Sequence, residues 1–246
     1  MRHGLTLAWR NVAQLRHSPA ALLDVTLMPI VFLLMFLYVF GGAIAGDSQS
    51  YLQLLLPGLA AQLTMFATLG LGTALAQDIH KGVFDRFRSL PIARSAPLIG
   101  TVLGDTVRFA ISMLTLTGFG VVLGFRFQTD PLSVLAALAL AYVFYLAVSW
   151  VSVLLGLIAP SPETVAGFSI IWVLPMTFGS SILIPDTSTM PGWLEAWSNI
   201  NPVTHLTEAV RALTVGGAVG NHAWYTLAWA AGSVLVTFPL AMRMYA

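Results

Sequence analysis

Residues 48–77 read SQSYLQLLLPGLAAQLTMFATLGLGTALAQ, and residues 77–94 read QDIHKGVFDRFRSLPIAR. The first run contains no Asp, Glu, Lys or Arg. The second holds Asp78, Lys81, Asp85, Arg86, Arg88 and Arg94, including the only lysine of the chain. A helix crossing a hydrocarbon core needs roughly 17–25 apolar residues. The boundary near residue 77 therefore separates a membrane-crossing segment from a water-facing island.

The same alternation recurs along the chain. Uncharged stretches cover residues 25–46, 48–77, 109–125, 131–162, 164–185 and 212–242, which predicts six transmembrane helices. They are continuous apolar runs without the two-residue alternation of a barrel wall, so helices are expected and not strands. The composition agrees: 57% of residues are hydrophobic and 9% charged, against about 25% charged in soluble domains. The expected fold class is all-α, a polytopic membrane protein forming one membrane domain over residues 1–246 with no internal repeat. The absence of cysteine excludes disulfides, thiolate metal sites and thiol nucleophiles.

Basic residues favour the cytoplasmic side. With the N-terminus inside, six spans place Arg2, Arg10, Arg16, Lys81, Arg86, Arg88, Arg94, Arg108 and Arg243 on the inner face and only Arg126 and Arg211 outside. Both termini are expected in the cytoplasm of a cell membrane. Residues 1–18 mix polar and apolar side chains without a compact apolar core, so the first span is expected to serve as its own insertion signal. In this segment Leu5, Ala8, Trp9, Val12 and Leu15 share one helical face and Thr6, Arg10, Asn11 and Gln14 the other. That pattern predicts a helix on the inner membrane surface with Trp9 at the headgroups, followed by Ser18 and Pro19 opening the first span.

Pro29, Pro57, Pro175 and Pro239 fall within spans, and Gly70, Gly72 and the Gly120-x-x-x-Gly124 pair offer close helix contacts. Residues 125–131 read as a short outer turn and 159–163 as an inner one, with Ser161, Pro162 and Glu163 suited to a helix start. Residues 185–221 form the one long outer segment. Trp193, Leu194 and Trp197 suggest a short surface helix. Asn201 and Pro202 cap a second, ended by Gly216 and Gly217. In it Val203, Leu206, Val210 and Leu213 share one face and Thr204, His205, Glu208 and Arg211 the other. Two such pieces are expected to dip into or roof the outer leaflet, with the polar face lining and gating an exit.

Several chemistries lack their residues. There is no G-x-x-x-x-G-K-[ST], no G-x-S-x-G and no H-E-x-x-H, so the chain is not expected to hydrolyse ATP or to act as a hydrolase. His205 and Glu208 are fewer ligands than a metal site requires; pairing among His205, Glu208 and Arg211 is the expectation, with no metal and no catalytic residue. The six stretches are free of Asp, Glu, Lys and Arg, so proton-coupled antiport lacks its expected carboxylate. In the inner island, Phe84, Phe87 and Leu90 recur every three residues among charges, and such an apolar stripe needs lipid or protein to cover it. A partner that supplies energy fits there.

The residues then resemble a known family. The run Lys81-Gly82-Val83-Phe84-Asp85-Arg86-Phe87-Arg88-Ser89-Leu90-Pro91-Ile92-Ala93-Arg94 is similar to the inner loop of type-2 permease subunits of ATP-binding-cassette exporters, above all the daunorubicin-resistance-like permeases. Asn201-Pro202-Val203-Thr204-His205-Leu206-Thr207-Glu208-Ala209-Val210-Arg211 resembles their outer Asn-Pro segment. Length, six-span layout and N-terminal surface helix extend the likeness along the chain.

The resemblance implies that residues 77–105 form a cytoplasmic coupling loop seated in a cleft of a cytoplasmic ATPase subunit. Phe84, Asp85, Arg86, Phe87, Arg88, Leu90 and Arg94 would transmit motion, with Trp9 and Arg10 on the interface helix. Asn201, Pro202, His205, Glu208 and Arg211 would form an outer gate. Two permeases, as two copies or a homologous pair, would work with two ATPases that carry the ATP and Mg2+. This chain would hold no cofactor itself, contact membrane lipid, and take no nucleic acid. The function implied is ATP-driven export of a hydrophobic or amphipathic compound, drug or lipid-like. An ATP-independent secondary carrier and a membrane enzyme or assembly factor are the alternatives.

Overall fold

A computed structural model describes residues 19–84, 95–184, 186 and 189–245. Among these residues lie eight helices: α1 (Pro19–Ala45), α2 (Ser48–His80), α3 (Ala96–Val122), α4 (Pro131–Ile158), α5 (Pro162–Phe178), α6 (Gly192–Ile200), α7 (Pro202–Val215) and α8 (His222–Tyr245). The segment expected as an N-terminal interface helix, with Trp9 and Arg10, lies outside the described residues.

Five helices, α1 to α4 and α8, are long and apolar enough to cross a membrane. The six expected spans differ from this at the fifth. Residues 164–185 are not one helix: α5 has 17 residues and ends at Phe178, followed by non-helical chain through residue 184. Pro175 sits in its last turn and Gly179 follows it, so propagation stops there. The third span differs in the other direction. Its helix begins at Ala96, preceded by Ser95 and opened by Pro97, so residues 96–105, placed in the inner loop by their charges, are helical.

The 33-residue α2 is the axis of the bundle. It packs against α1, α3, α4, α5 and α7, while α8 lies along α4 and α7. Two thirds of the apolar window of α2 (67%) is buried, against 28% in α1 and 22% in α8. The outer helices turn Leu27, Met28, Tyr38 and Val39 of α1 and Leu235 and Val236 of α8 outward, as a lipid-facing surface would.

Local chemistry sets the helix ends. The Asp47 carboxylate accepts from the Ser50 amide at 2.8 Å and the Asp130 carboxylate from the Ser133 hydroxyl and amide at 2.7 and 3.1 Å. These bonds to Ser50 and Ser133 hold both carboxyls below the ordinary aspartate range. At the other end of α2, Gly82 has φ +68° and donates its amide to the Ile79 carbonyl at 2.9 Å, a left-handed cap that glycine adopts at little cost. Pro29 has no N–H for the carbonyl of Val25 one turn earlier. The Ser112 hydroxyl of α3 donates to that carbonyl at 2.9 Å, which joins α1 to α3 at the proline. Of the expected glycine pair, Gly120 packs against Leu56, but Gly124 lies beyond the end of α3, so the two do not form one packing face.

Candidate functional site

The Asn-Pro segment opens α7, with Asn201 as cap and Pro202 as first residue. Asn201 is 1% exposed. Its Oδ1 accepts from the Val203 amide at 2.9 Å, and its Nδ2 donates to the carbonyls of Met176 and Gly179 at 2.8 and 3.1 Å. Carbonyls at the end of α5 have no intrahelical donors. Asn201 supplies them for Met176 and Gly179, and the Trp197 indole adds a second donor at 3.3 Å to the Pro175 carbonyl, which also accepts from the Gly179 amide at 3.0 Å.

The non-helical chain after α5 is buried, with Ser180, Ser181 and Ile182 each at 3% exposure or less. Irregular backbone at such depth must find partners inside the protein. Arg211 donates to the Ser181 and Leu54 carbonyls at 3.1 and 3.4 Å, and Tyr51 to the Leu183 carbonyl at 3.3 Å. Arg211 is also paired with Glu208, whose carboxylate accepts from the Ser181 hydroxyl at 2.6 Å. The expected pairing of Glu208 with Arg211 is present. His205 stands apart from it, with Nδ1 3.1 Å from Nδ1 of His222 and its ring over Tyr225.

The expected polar outer face of α7 is corrected by this packing. Thr204, His205, Thr207 and Arg211 are buried along with Val203, Leu206 and Val210. The helix is enclosed by α2, α4 and α8 because Arg211 and Asn201 are needed within, to satisfy backbone. It is a clamp on the end of α5.

Charges also stand within the spans, contrary to the expectation that they carry none. Because α3 starts at Ala96, Asp105 and Arg108 are inside it. Arg108 lies 3.5 Å from Asp24 of α1 and 3.6 Å from Asp105. The Tyr145 hydroxyl donates to Asp105 at 2.6 Å, and its ring stacks on Phe109 with centroids 4.1 Å apart. Tyr145 is close to the midpoint of α4, so the cluster reaches bilayer depth. It lines a cavity of about 350 Å³ between α1, α2 and α3. The signal for it was Asp105 and Arg108 three apart with apolar neighbours on both sides.

Of the inner-loop residues, Phe84 is described. It is 5% exposed and meets Tyr245 edge-on at 5.5 Å, in a cluster with Leu71, Leu75, Leu98, Val102, Val153 and Ala241. The chain itself covers this aromatic, which was expected to face a partner. Asp85, Arg86, Phe87, Arg88, Leu90 and Arg94 lie outside the described residues.

A family model described as ABC-2 type transporter matches residues 3–215. The chain belongs to the ABC-2 type transporter family. Within this family it is 43% identical over 241 residues to the daunorubicin resistance ABC transporter permease protein DrrB1 of Streptomyces coeruleorubidus, covering 98% of this chain and 85% of that one. It is 27% identical over 219 residues to a Mycobacterium tuberculosis protein named probable doxorubicin resistance ABC transporter permease protein DrrC, covering 87% and 78%. Nodulation protein J of Rhizobium meliloti is 26% identical over 232 residues, covering 88% and 81%. An ABC-2 type chain of apolar helices, several long enough to span a bilayer, is a multi-pass membrane permease.

Proposed function

We propose that this chain is the membrane-spanning subunit of an exporter that moves a hydrophobic or amphipathic compound outward, using ATP and Mg2+ bound by a separate cytoplasmic ATPase. The observation that carries this reading is the family match along residues 3–215, together with relatives named for daunorubicin and doxorubicin resistance. The sequence has no phosphate-cradling motif, and in this reading energy arrives through the partner ATPase. In this reading the chain between α2 and α3 meets the ATPase through Phe87, Asp85, Arg86, Arg88, Leu90 and Arg94, and Phe84 passes the displacement into the bundle. Trp9 and Arg10 lie along the inner surface, and both termini are cytoplasmic. The clamp formed by Asn201, Pro202, Glu208 and Arg211, with His205 beside it, closes the outer end. The short α5 and the buried segment after it together make the sixth crossing. A second permease, a copy or a homologue, covers lipid-facing surface left by this one.

The test is purification in mild detergent with identification of what accompanies the chain, then uptake of daunorubicin into inside-out vesicles. An accompanying ATPase and ATP-dependent uptake are expected; neither appearing would overturn the reading. Asp24 and Asp105 within helices favour a second reading, a secondary carrier, because in-span carboxylates are the usual coupling groups of such proteins. Uptake driven by a proton gradient without ATP would select it.

A further inference from the structure

His205 lies within α7 and is buried, while His222 is the first residue of α8 and is half-buried. Their Nδ1 atoms are 3.1 Å apart, and the His205 ring also meets that of Tyr225. This contact ties the start of α8 to α7. The covalent connection between the two helices is the short run 216–221, in which Gly216, Gly217 and Gly220 have φ of +101°, +115° and +53°. No neighbouring atom crowds Gly216 or Gly217, so the linker can follow a displacement of either helix.

Two facing Nδ1 atoms hold a hydrogen bond only while one carries a hydrogen and the other does not. One added proton can go to the second nitrogen of the donating ring, and the N–H···N bond survives. The next proton must go onto the accepting Nδ1. Two N–H groups and two positive charges then stand face to face, and the tie breaks. Among the described residues no carboxylate pairs with either ring. On α7 itself Glu208 and Arg211 are engaged with one another and with Ser181. The helices packed around α7 bring Tyr51 from α2, Tyr142 and the cap Asp130 from α4, Glu195 from α6 and Tyr225 from α8, with Glu163 at the far end of α5 and Arg243 at that of α8. Asp130 is engaged with Ser133 and Tyr51 with the Leu183 carbonyl.

We propose that the His205–His222 pair is an acid-opened latch: with both rings protonated the first turn of α8 parts from α7 on the glycine linker, and neutral pH closes it. Burial of His205 acts in the same direction, because an opened ring is better hydrated and takes its proton more readily. The opened state binds more protons than the closed one, so falling pH favours it. Opening uncovers α7 at the end of the bundle opposite Phe84. The latch does not depend on the export reading.

Single thiols in the full chain, which has no cysteine of its own, test the latch in detergent micelles by their rates of maleimide labelling. Thr226→Cys reports on the latch, since Thr226 is fully buried one turn along α8 from His222. Ser152→Cys reports on general unfolding, since Ser152 is fully buried in α4 and its hydroxyl has no hydrogen-bond partner to lose. The exposed Gln128→Cys corrects for the pH dependence of the thiol itself. Between pH 7.5 and 5.5 the labelling of Thr226→Cys relative to Gln128→Cys is expected to rise about two- to tenfold, the weight of one hydrogen bond in an opening equilibrium. Ser152→Cys should stay level. His205→Gln and His222→Gln, whose amide bonds a neutral or a charged ring alike, should each abolish the dependence on pH. No rise with both histidines present, a rise that survives in both glutamine variants, or an equal rise at Ser152→Cys would overturn the proposal.

Discussion

Asn201 accepts one hydrogen bond and donates two from a single buried amide. Asn201→Ala removes the cap of α7 and strands two carbonyls at the end of α5. The expected loss is about 2–4 kcal/mol, from roughly 1 for a cap and 0.5–1.5 for each further bond, read as a lower unfolding temperature in detergent. Asn201→Asp keeps the acceptor for Val203 but not the donors, so it should be nearly as destabilised as the alanine variant; wild-type stability in it would show that the two donor bonds carry nothing. His205 gives a pH dependence. Burial, and then His222 beside it, holds its pKa below the ordinary 6.5. The unfolded chain therefore binds the proton first as pH falls, so stability is complete above about pH 6.5 and declines below it. Unfolding temperatures at pH 7.5 and 5.5 should show that decline, and His205→Gln should flatten it.

Among the elements, α7 was legible before any coordinates because both its ends are written in local chemistry, Asn201-Pro202 before it and Gly216-Gly217 after it. Its surroundings were not legible. An amphipathic pattern tells which residues share a face, but Arg211 turns inward here because distant carbonyls at Ser181 and Leu54 need a donor. The limits of α3 failed for a related reason. Dividing the chain at its charges forces every charge to a span's end, whereas Asp105 and Arg108 are tolerated within α3 by Tyr145 and Asp24 from neighbouring helices. The contact of α2 with α4 yields a prediction at this scale. A Cβ on Gly72 would lie 2.9 Å from the Ser152 carbonyl, and one on Gly156 2.8 Å from the Gly72 carbonyl. Neither backbone can move without separating the helices, so Gly72→Ala should cost about 1–3 kcal/mol. Gly70→Ala, two residues away with open space around it, should be neutral or gain up to about 1 kcal/mol from helix propensity. Parallel thermal unfolding of the two variants checks the pair.

For the molecule as a whole, the class and most of the crossings follow from the lack of charge over long runs, while the depth of burial of each helix does not, since α2 and α8 are both apolar and only α2 is central. The sidedness implied by the arginines is open to direct measurement because the chain has no cysteine of its own. Single cysteines at Gln128, in the turn before α4, and at Pro160, in the turn after it, are both at exposed positions. In intact cells a membrane-impermeant maleimide should label Gln128→Cys and leave Pro160→Cys untouched until the membrane is broken; the reverse pattern would invert the molecule. The ring of Phe84 has a mechanical consequence. Leu71 and Leu75 of α2, Leu98 and Val102 of α3, Val153 of α4 and Tyr245 of α8 all meet in its cluster, so four rods share one bearing. A lever pressed against residue 84 cannot tilt a single rod: the torque is divided at once among all four, and the last turn of α8 moves with the inner end of α2.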